Sequence, residues 1–211
     1  MKNLLKLSFV LAFVATTCIS NAQSNSSKLK FGVKAGFNLA DMAQNFKDSE
    51  EEYDTKTLTG LAFGVTAEYE LKENLAFQSG LMFTQKGFKY DGSDNKIKVT
   101  WLEVPMNFAY KMNDFQVYAG PYVAFGLSGK YEWDDSEGSG SEDLDFGNSD
   151  SDDLRGFDYG LNFGLGYQTG NILFNAGYSL GLANLTPNDS DGDWKQSNRV
   201  ISFSVSYFFG K

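Results

Sequence analysis

Large apolar side chains stand at every second position in eight successive stretches of this chain, and that alternation excludes most folds. In the first stretch Phe31, Val33, Ala35, Phe37 and Leu39 share one face, and Gly32, Lys34, Gly36 and Asn38 share the other. Residues 61–71, 75–83, 102–110, 115–127, 157–167, 172–182 and 201–209 repeat the scheme. A period of two is that of a β-strand with one apolar face, because successive side chains leave the backbone on opposite sides. An amphipathic helix needs a period of about 3.6. With 16% aromatics and 22 glycines the chain is neither disordered nor a helix bundle. Its 211 residues suit one domain.

The connections alternate in length. Residues 72–74, 112–114 and 170–171 make three tight turns, while roughly 40–56, 91–96, 134–155 and 186–198 make four polar loops. Short turns at one end and loops at the other describe an up-and-down antiparallel meander that closes into a barrel. Volume decides which face lies inside. An eight-stranded barrel has an interior only just wide enough for side chains. Its apolar face, crowded with Phe, Tyr and Leu, would overfill that space, whereas the Gly, Ala, Ser and Asn of the other face fit it. The expected fold is therefore all-β, an eight-stranded up-and-down antiparallel transmembrane β-barrel with long outer loops and short periplasmic turns. Its apolar face meets lipid, and Lys34, Glu68, Glu70 and Glu103 form a polar network in a packed lumen. Tyr69, Tyr110, Phe115, Tyr159, Tyr167 and Tyr207 are placed to form interface girdles. Pro105 and Pro121, which lack a ladder donor, are expected at bulges.

The first residues read as an address. Lys2 and Lys6 precede an apolar run over 7–14, and Ser20-Asn21-Ala22 places small residues where a signal peptidase cuts. The division expected is a signal peptide over 1–22 and an outer-membrane barrel domain over 23–211. The run is too short for a spanning helix of about 20 residues. Residues 15–17 fit a lipoprotein site at Cys18 poorly. Cleavage after Ala22 removes the one cysteine and leaves 16 basic residues against 27 acidic. Disulfide and thiol chemistry are then excluded. A leader, closed amphipathic strands and a fully hydrogen-bonded backbone point to the outer membrane of a Gram-negative cell.

Several strings resemble the outer-membrane β-barrel family of Bacteroidetes often called PorT-like. They are FGVKAGFNL from Phe31, GLMFTQKG from Gly80, WLEVP from Trp101, YAGPY from Tyr118, DYGLNFGLG from Asp158 and YSLGLAN from Tyr178, in that order and spacing over nearly the whole mature chain. The ending, with Ile201, Phe203, Val205, Tyr207 and Phe209 alternating, is similar to the signal that barrel assembly machinery recognises, although Gly210 and Lys211 follow the last aromatic. The resemblance implies that both prolines are tolerated in their strands. Some family members are linked to protein secretion, a link that does not transfer by fold.

Chemistry is sparsely encoded. The chain has no histidine, which removes Ser-His-Asp and Cys-His catalysis, and outer-membrane barrel enzymes look to a histidine in the active site. No spacing singles out a Ser-Lys dyad. We expect no enzyme activity and no cofactor. Asp189, Asp191 and Asp193 resemble the start of a calcium loop, but Trp194 stands where glycine is needed and Val200 where glutamate is. These residues, like the acidic run from Asp134 to Asp153, are better read as solvated loop charge. Asp145-Phe146-Gly147 has no kinase context, and Gly164-Leu165-Gly166 lies inside a strand. A net charge of -9 argues against nucleic acid. The partners expected are outer-membrane lipid, the assembly machinery and an envelope protein, with the barrel itself monomeric. The function expected is a structural or surface-interaction role whose specificity sits in the acidic loops. An accessory subunit of a secretion or envelope complex, a narrow-pore channel and a secreted soluble ligand-binding barrel are the alternatives.

Overall fold

The computed structural model describes residues 28–46, 55–135, 138–149, 151–187 and 194–209. The expected leader over 1–22 lies outside them. Among the described residues nine strands form one sheet: β1 (Leu29–Phe46), β2 (Thr55–Lys72), β3 (Leu75–Tyr90), β4 (Lys96–Met112), β5 (Phe115–Asp135), β6 (Gly138–Asp143), β7 (Phe157–Thr169), β8 (Ile172–Gly181) and β9 (Trp194–Phe209). Strand β6 pairs with β5 alone, and β4 also pairs with β5. The other eight close into a ring in which every neighbouring pair is antiparallel, with β1 joined to β9 from Phe31↔Phe209 to Phe46↔Trp194. Closure removes the sheet edges, and with them the unpaired backbone groups that lipid does not tolerate.

The three tight turns lie at one end. Asn113 and Gly170 take positive φ (54° and 57°) at the first turn position, where asparagine and glycine bear the left-handed backbone best. At the other end the strands outrun the sequence expectation. Strand β1 continues past Leu39 to Phe46, β5 past Leu127 to Asp135, and β9 begins at Trp194. Three expected loops are thus shorter than read, and the third holds β6. The cause is that the backbone ladder continues where the side chains no longer alternate. Lys130↔Asp143, Glu132↔Ser141 and Asp134↔Ser139 pair as polar rungs above the apolar band.

The apolar face is outside. Phe63, Phe115 and Leu165 are 56%, 61% and 63% exposed, and Phe37, Phe163, Phe174 and Phe203 stand beside them on the outer wall. This arrangement overturns the soluble ligand-binding alternative, which needs these side chains inside. Tyr69, Tyr110, Phe115, Tyr167 and Tyr207 lie exposed toward the turn end and Tyr159 toward the loop end, with Phe115 and Tyr167 ring centroids 5.0 Å apart.

The prolines do not sit at bulges. Register shifts occur between Thr57 and Ala62, Glu70 and Lys72, and Thr100 and Trp101, while Pro105↔Tyr122 and Pro121↔Leu161 keep the register of their neighbours. Beside them the β4–β5 ladder passes from Pro105↔Tyr122 to Phe108↔Ala119, so rungs are dropped and no residue is inserted. Glycine makes the close approach possible, since a Cβ on Gly120 would collide with the Met106 carbonyl oxygen.

The interior is filled in three levels. On β5, Tyr118 and Tyr122 lie over their cross-strand partners on the neighbouring β7, Gly164 and Gly160, and Tyr118 reaches on to Gly177 of β8. A Cβ on Gly164 would stand 2.6 Å from Tyr118 Oη, one on Gly160 would stand 2.7 Å from the Tyr122 ring, and one on Gly177 would overlap the Tyr118 hydroxyl. Large rings on β5 therefore require glycine on the neighbouring strands β7 and β8. We predict that Gly177→Leu abolishes the folded, unheated band on a gel, while Ala176→Leu, one residue away on the outer wall, keeps it. A folded Gly177→Leu barrel would contradict the packing described.

Candidate functional site

The inward face carries charge at two levels. The first is built around Lys86 of β3, which has only 1% of its surface exposed. Its Nζ lies 2.7 Å from Glu103 Oε2 of β4 and 3.2 Å from Asp158 Oδ2 of β7. Tyr122 donates its hydroxyl to the same Asp158 oxygen at 3.1 Å, and Asn198 Nδ2 of β9 donates to it at 2.8 Å. Lys86 Nζ also stands 4.4 Å from the Tyr122 ring centroid, a cation–π distance. Four strands from opposite sides of the ring are thus tied through one carboxylate oxygen.

The second level lies nearer the turns. Glu68 of β2 is completely buried and meets Lys111 Nζ of β4 at 2.5 Å and Lys30 Nζ of β1 at 3.8 Å. Gln78 Nε2 donates to Glu68 at 2.8 Å and lies 3.2 Å from Gln116 Oε1. Glu70 caps this group from the mouth, 2.6 Å from Lys30, and its side chain is 42% exposed.

Three of the four residues expected in the lumen therefore face its packed interior, and Glu70 stands at its rim. The expected set does not form one network. Glu103 belongs to the Lys86 level and Glu68 to the Lys30–Lys111 level. Lys34 lies between them beside a cavity of about 70 Å³, in electrostatic reach of Glu103 and with no ion pair to a described residue. Lys86, Lys111, Lys30, Tyr122 and Asn198 were missed as members. Asp158 was legible as an inward residue of β7, but its partner Lys86 is 72 positions away and lies past the apolar stretch of its own strand.

Above the Lys86 level the lumen is apolar, which the expectation of a polar interior did not include. Met42, Phe88, Val99, Trp101, Ala124, Leu154, Ala183 and Leu185 are buried together. Leu154 and Leu185 come from the loops, and Phe146 stacks edge-on against Trp101 at 6.3 Å. The strands outrun the membrane band here, so inward positions face one another and a folded-in loop, and ordinary core packing applies. At the rim Lys56 pairs with Asp91, and Lys96 with Glu132 at 2.8 Å. Asp152 and Asp153 accept backbone N–H groups of Ser149 and Asp145.

Among the described residues no group of three or more His, Cys, Asp or Glu is arranged to hold a metal ion. Asp189, Asp191 and Asp193 lie outside the described residues. Ile201, Phe203, Val205, Tyr207 and Phe209 form the outward face of β9, each between 41% and 47% exposed.

A closed ring with an apolar exterior and a charged, packed interior is the architecture of a membrane-spanning β-barrel. The chain belongs to the outer membrane protein beta-barrel domain family, whose model matches residues 21–186, and it is accordingly an outer-membrane barrel protein. Among solved structures it is similar to Neisserial surface protein A at 13% identity, covering 87% of this chain and 99% of that one with a TM-score of 0.45. The attachment invasion locus protein Ail of Yersinia pestis is 14% identical over 85% of this chain and 98% of that one, TM-score 0.45. OprG from Pseudomonas aeruginosa is 16% identical over 90% and 100%, TM-score 0.41. No curated protein matches the chain.

Removing one partner of a buried ion pair costs about 3–5 kcal/mol, because it leaves a charge uncompensated. Lys86→Met leaves Glu103 and Asp158 facing each other, and it is expected to lower the urea midpoint of the refolded barrel in detergent. Lys86→Met combined with Glu103→Gln and Asp158→Asn should recover a substantial part of that loss. Equal midpoints for the parent and Lys86→Met would show that the cluster does not hold the walls together.

Proposed function

We propose that this protein is a non-enzymatic, monomeric anchor: a sealed barrel that fixes an acidic loop-end platform at the cell surface for contact with an envelope or extracellular partner. The observation that carries the reading is the occupation of the lumen. Two charged levels and an apolar plug lie one above another, so the space that a channel would keep open is filled with side chains. The platform above is made of the extended β5–β6 hairpin and the segment after it, which present Asp134, Glu142, Asp143 and Asp145.

The same reading places the three tight turns in the periplasm and the loops outside, with the leader removed near Ala22 before assembly. It takes the outward face of β9, from Ile201 to Phe209, as the segment that assembly machinery recognises. The strings from Phe31 to Leu39 and from Asp158 to Gly166 support membership of the PorT-like branch found in Bacteroidetes. The absence of histidine from the whole sequence supports a binding role over catalysis.

Purified protein in planar bilayers bathed in molar KCl is expected to show no stepwise conductance over minutes at 100 mV. Reproducible unitary steps from heat-modifiable, monomeric protein would replace the anchor reading with the narrow-pore channel.

A further inference from the structure

The barrel wall is notched on one side at the loop end. Strand β8 stops at Gly181, and its last partner on β9 is Arg199, opposite Leu180. Strand β9 continues for five more residues to Trp194, and among the described strands only β1 pairs with that stretch. The chain leaving β8 fills the gap by bending inward. Leu182 N–H donates to the Tyr159 carbonyl at 2.8 Å, Leu185 N–H to the Gln196 carbonyl at 2.8 Å, and Arg155 N–H to the Leu185 carbonyl at 2.9 Å. Along this seam lies a hollow of about 770 Å³, lined by Phe157, Tyr159, Leu182, Phe146, Arg155 and Lys195 among others.

The chemistry of the hollow is divided by height. Phe157, Tyr159 and Leu182 are the uppermost outward residues of β7 and of the chain leaving β8, each about half exposed, so they belong to the wall that lipid covers. The two cations that line the hollow, Arg155 and Lys195, stand above them. The sequence contains only two arginines, 155 and 199, and both are at this notch, with Lys195 four residues from Arg199 on β9. Arg155 Nε is buried with no hydrogen-bond partner among the described residues, and its Nη1 reaches the Asn184 carbonyl only at 3.5 Å. None of the three makes an ion pair with a described residue, in a chain of 27 acidic residues. The acid across from Arg199, Asp41, accepts Thr55 Oγ1 at 2.7 Å and the Met42 N–H at 2.8 Å on its Oδ1. Guanidinium groups match phosphate oxygens in a two-pronged geometry, and cations above an apolar wall mark the height of lipid head groups.

We propose that this hollow binds a phosphate-bearing lipid of the outer leaflet, with its phosphate on Arg155 and Lys195 and an acyl chain along Phe157, Tyr159 and Leu182. Charge complementarity selects a lipid over a protein occupant, because the lower half of the hollow already faces the bilayer. The inference rests on the membrane-barrel reading, but not on the sealed lumen or on the loop partner.

Native mass spectrometry of the detergent-solubilised full barrel tests it, with dimyristoyl phosphatidic acid and dimyristoyl phosphatidylcholine as probes of identical chains. The phosphatidic acid is expected to bind at least tenfold more tightly. Arg155→Ala with Lys195→Ala should bring it down to the phosphatidylcholine level, and Lys130→Ala, elsewhere on the loop end, should not. Lys195→Ala alone, at an exposed site that folding does not need, should lose part of the preference. Equal binding of the two lipids, or a preference that survives the double substitution, overturns the proposal. Displacement of the lipid by millimolar inorganic phosphate also overturns it, since the site would then be one for a free anion. An unheated folded band in every variant shows that the barrel itself stands, so failure of the lipid site is distinguishable from failure of the fold.

Discussion

Lys86 sits where Glu103 and Asp158 need a cation and where no water-exposed surface remains to supply one. Its position explains much of what surrounds it. Asp158 Oδ2 accepts from Lys86, Tyr122 and Asn198 at once, so β3, β5, β7 and β9 meet at one atom. In a barrel whose outer wall is in lipid, hydrophobic burial between strands is weak as a source of shape, because the lipid is as apolar as the side chains. Directional contacts inside carry that task instead. The Glu68 level does the same for β1, β2 and β4 through Lys30 and Lys111.

The same constraint accounts for the glycines. A narrow ring that must hold Tyr118, Tyr122, Lys86 and Glu68 has no room for side chains beneath the two tyrosine rings. Gly160, Gly164 and Gly177 stand there, on the strands next to β5. Above the lipid band the rules change, and the interior becomes an ordinary apolar core of Phe88, Trp101, Leu154 and Leu185. One molecule thus joins a membrane half, apolar outside and charged inside, to an aqueous half with polar rungs outside and an apolar centre.

The inside-out membrane half was legible because it is local: a strand's two faces are written in successive residues such as Phe163 and Asn162. Lumen volume then chose the orientation. What was not legible depends on stagger between strands. Nothing near Lys86 in sequence points to Asp158, and Lys34, which looked equivalent, ends between the two charged levels. Strand β6, written as GSGSED, carries no alternation; it is paired to β5, with one ion pair from Lys130 to Asp143 at 3.6 Å. Pro105 and Pro121 suggested bulges because proline removes a donor. Dropped rungs and a close approach at Gly120 absorb that loss without an inserted residue.

The central claim is that odd-numbered residues of β7 face lipid and even-numbered ones face a packed lumen. Single nitroxide labels on cysteines introduced at 161, 162, 163 and 165, which spare the glycines beneath the tyrosine rings, test it in liposomes, with Cys18 lying in the expected leader. Collision with dissolved oxygen should be high at 161, 163 and 165 and low at 162. The opposite phase, or high collision with a water-soluble nickel chelate at the odd positions, would contradict the account.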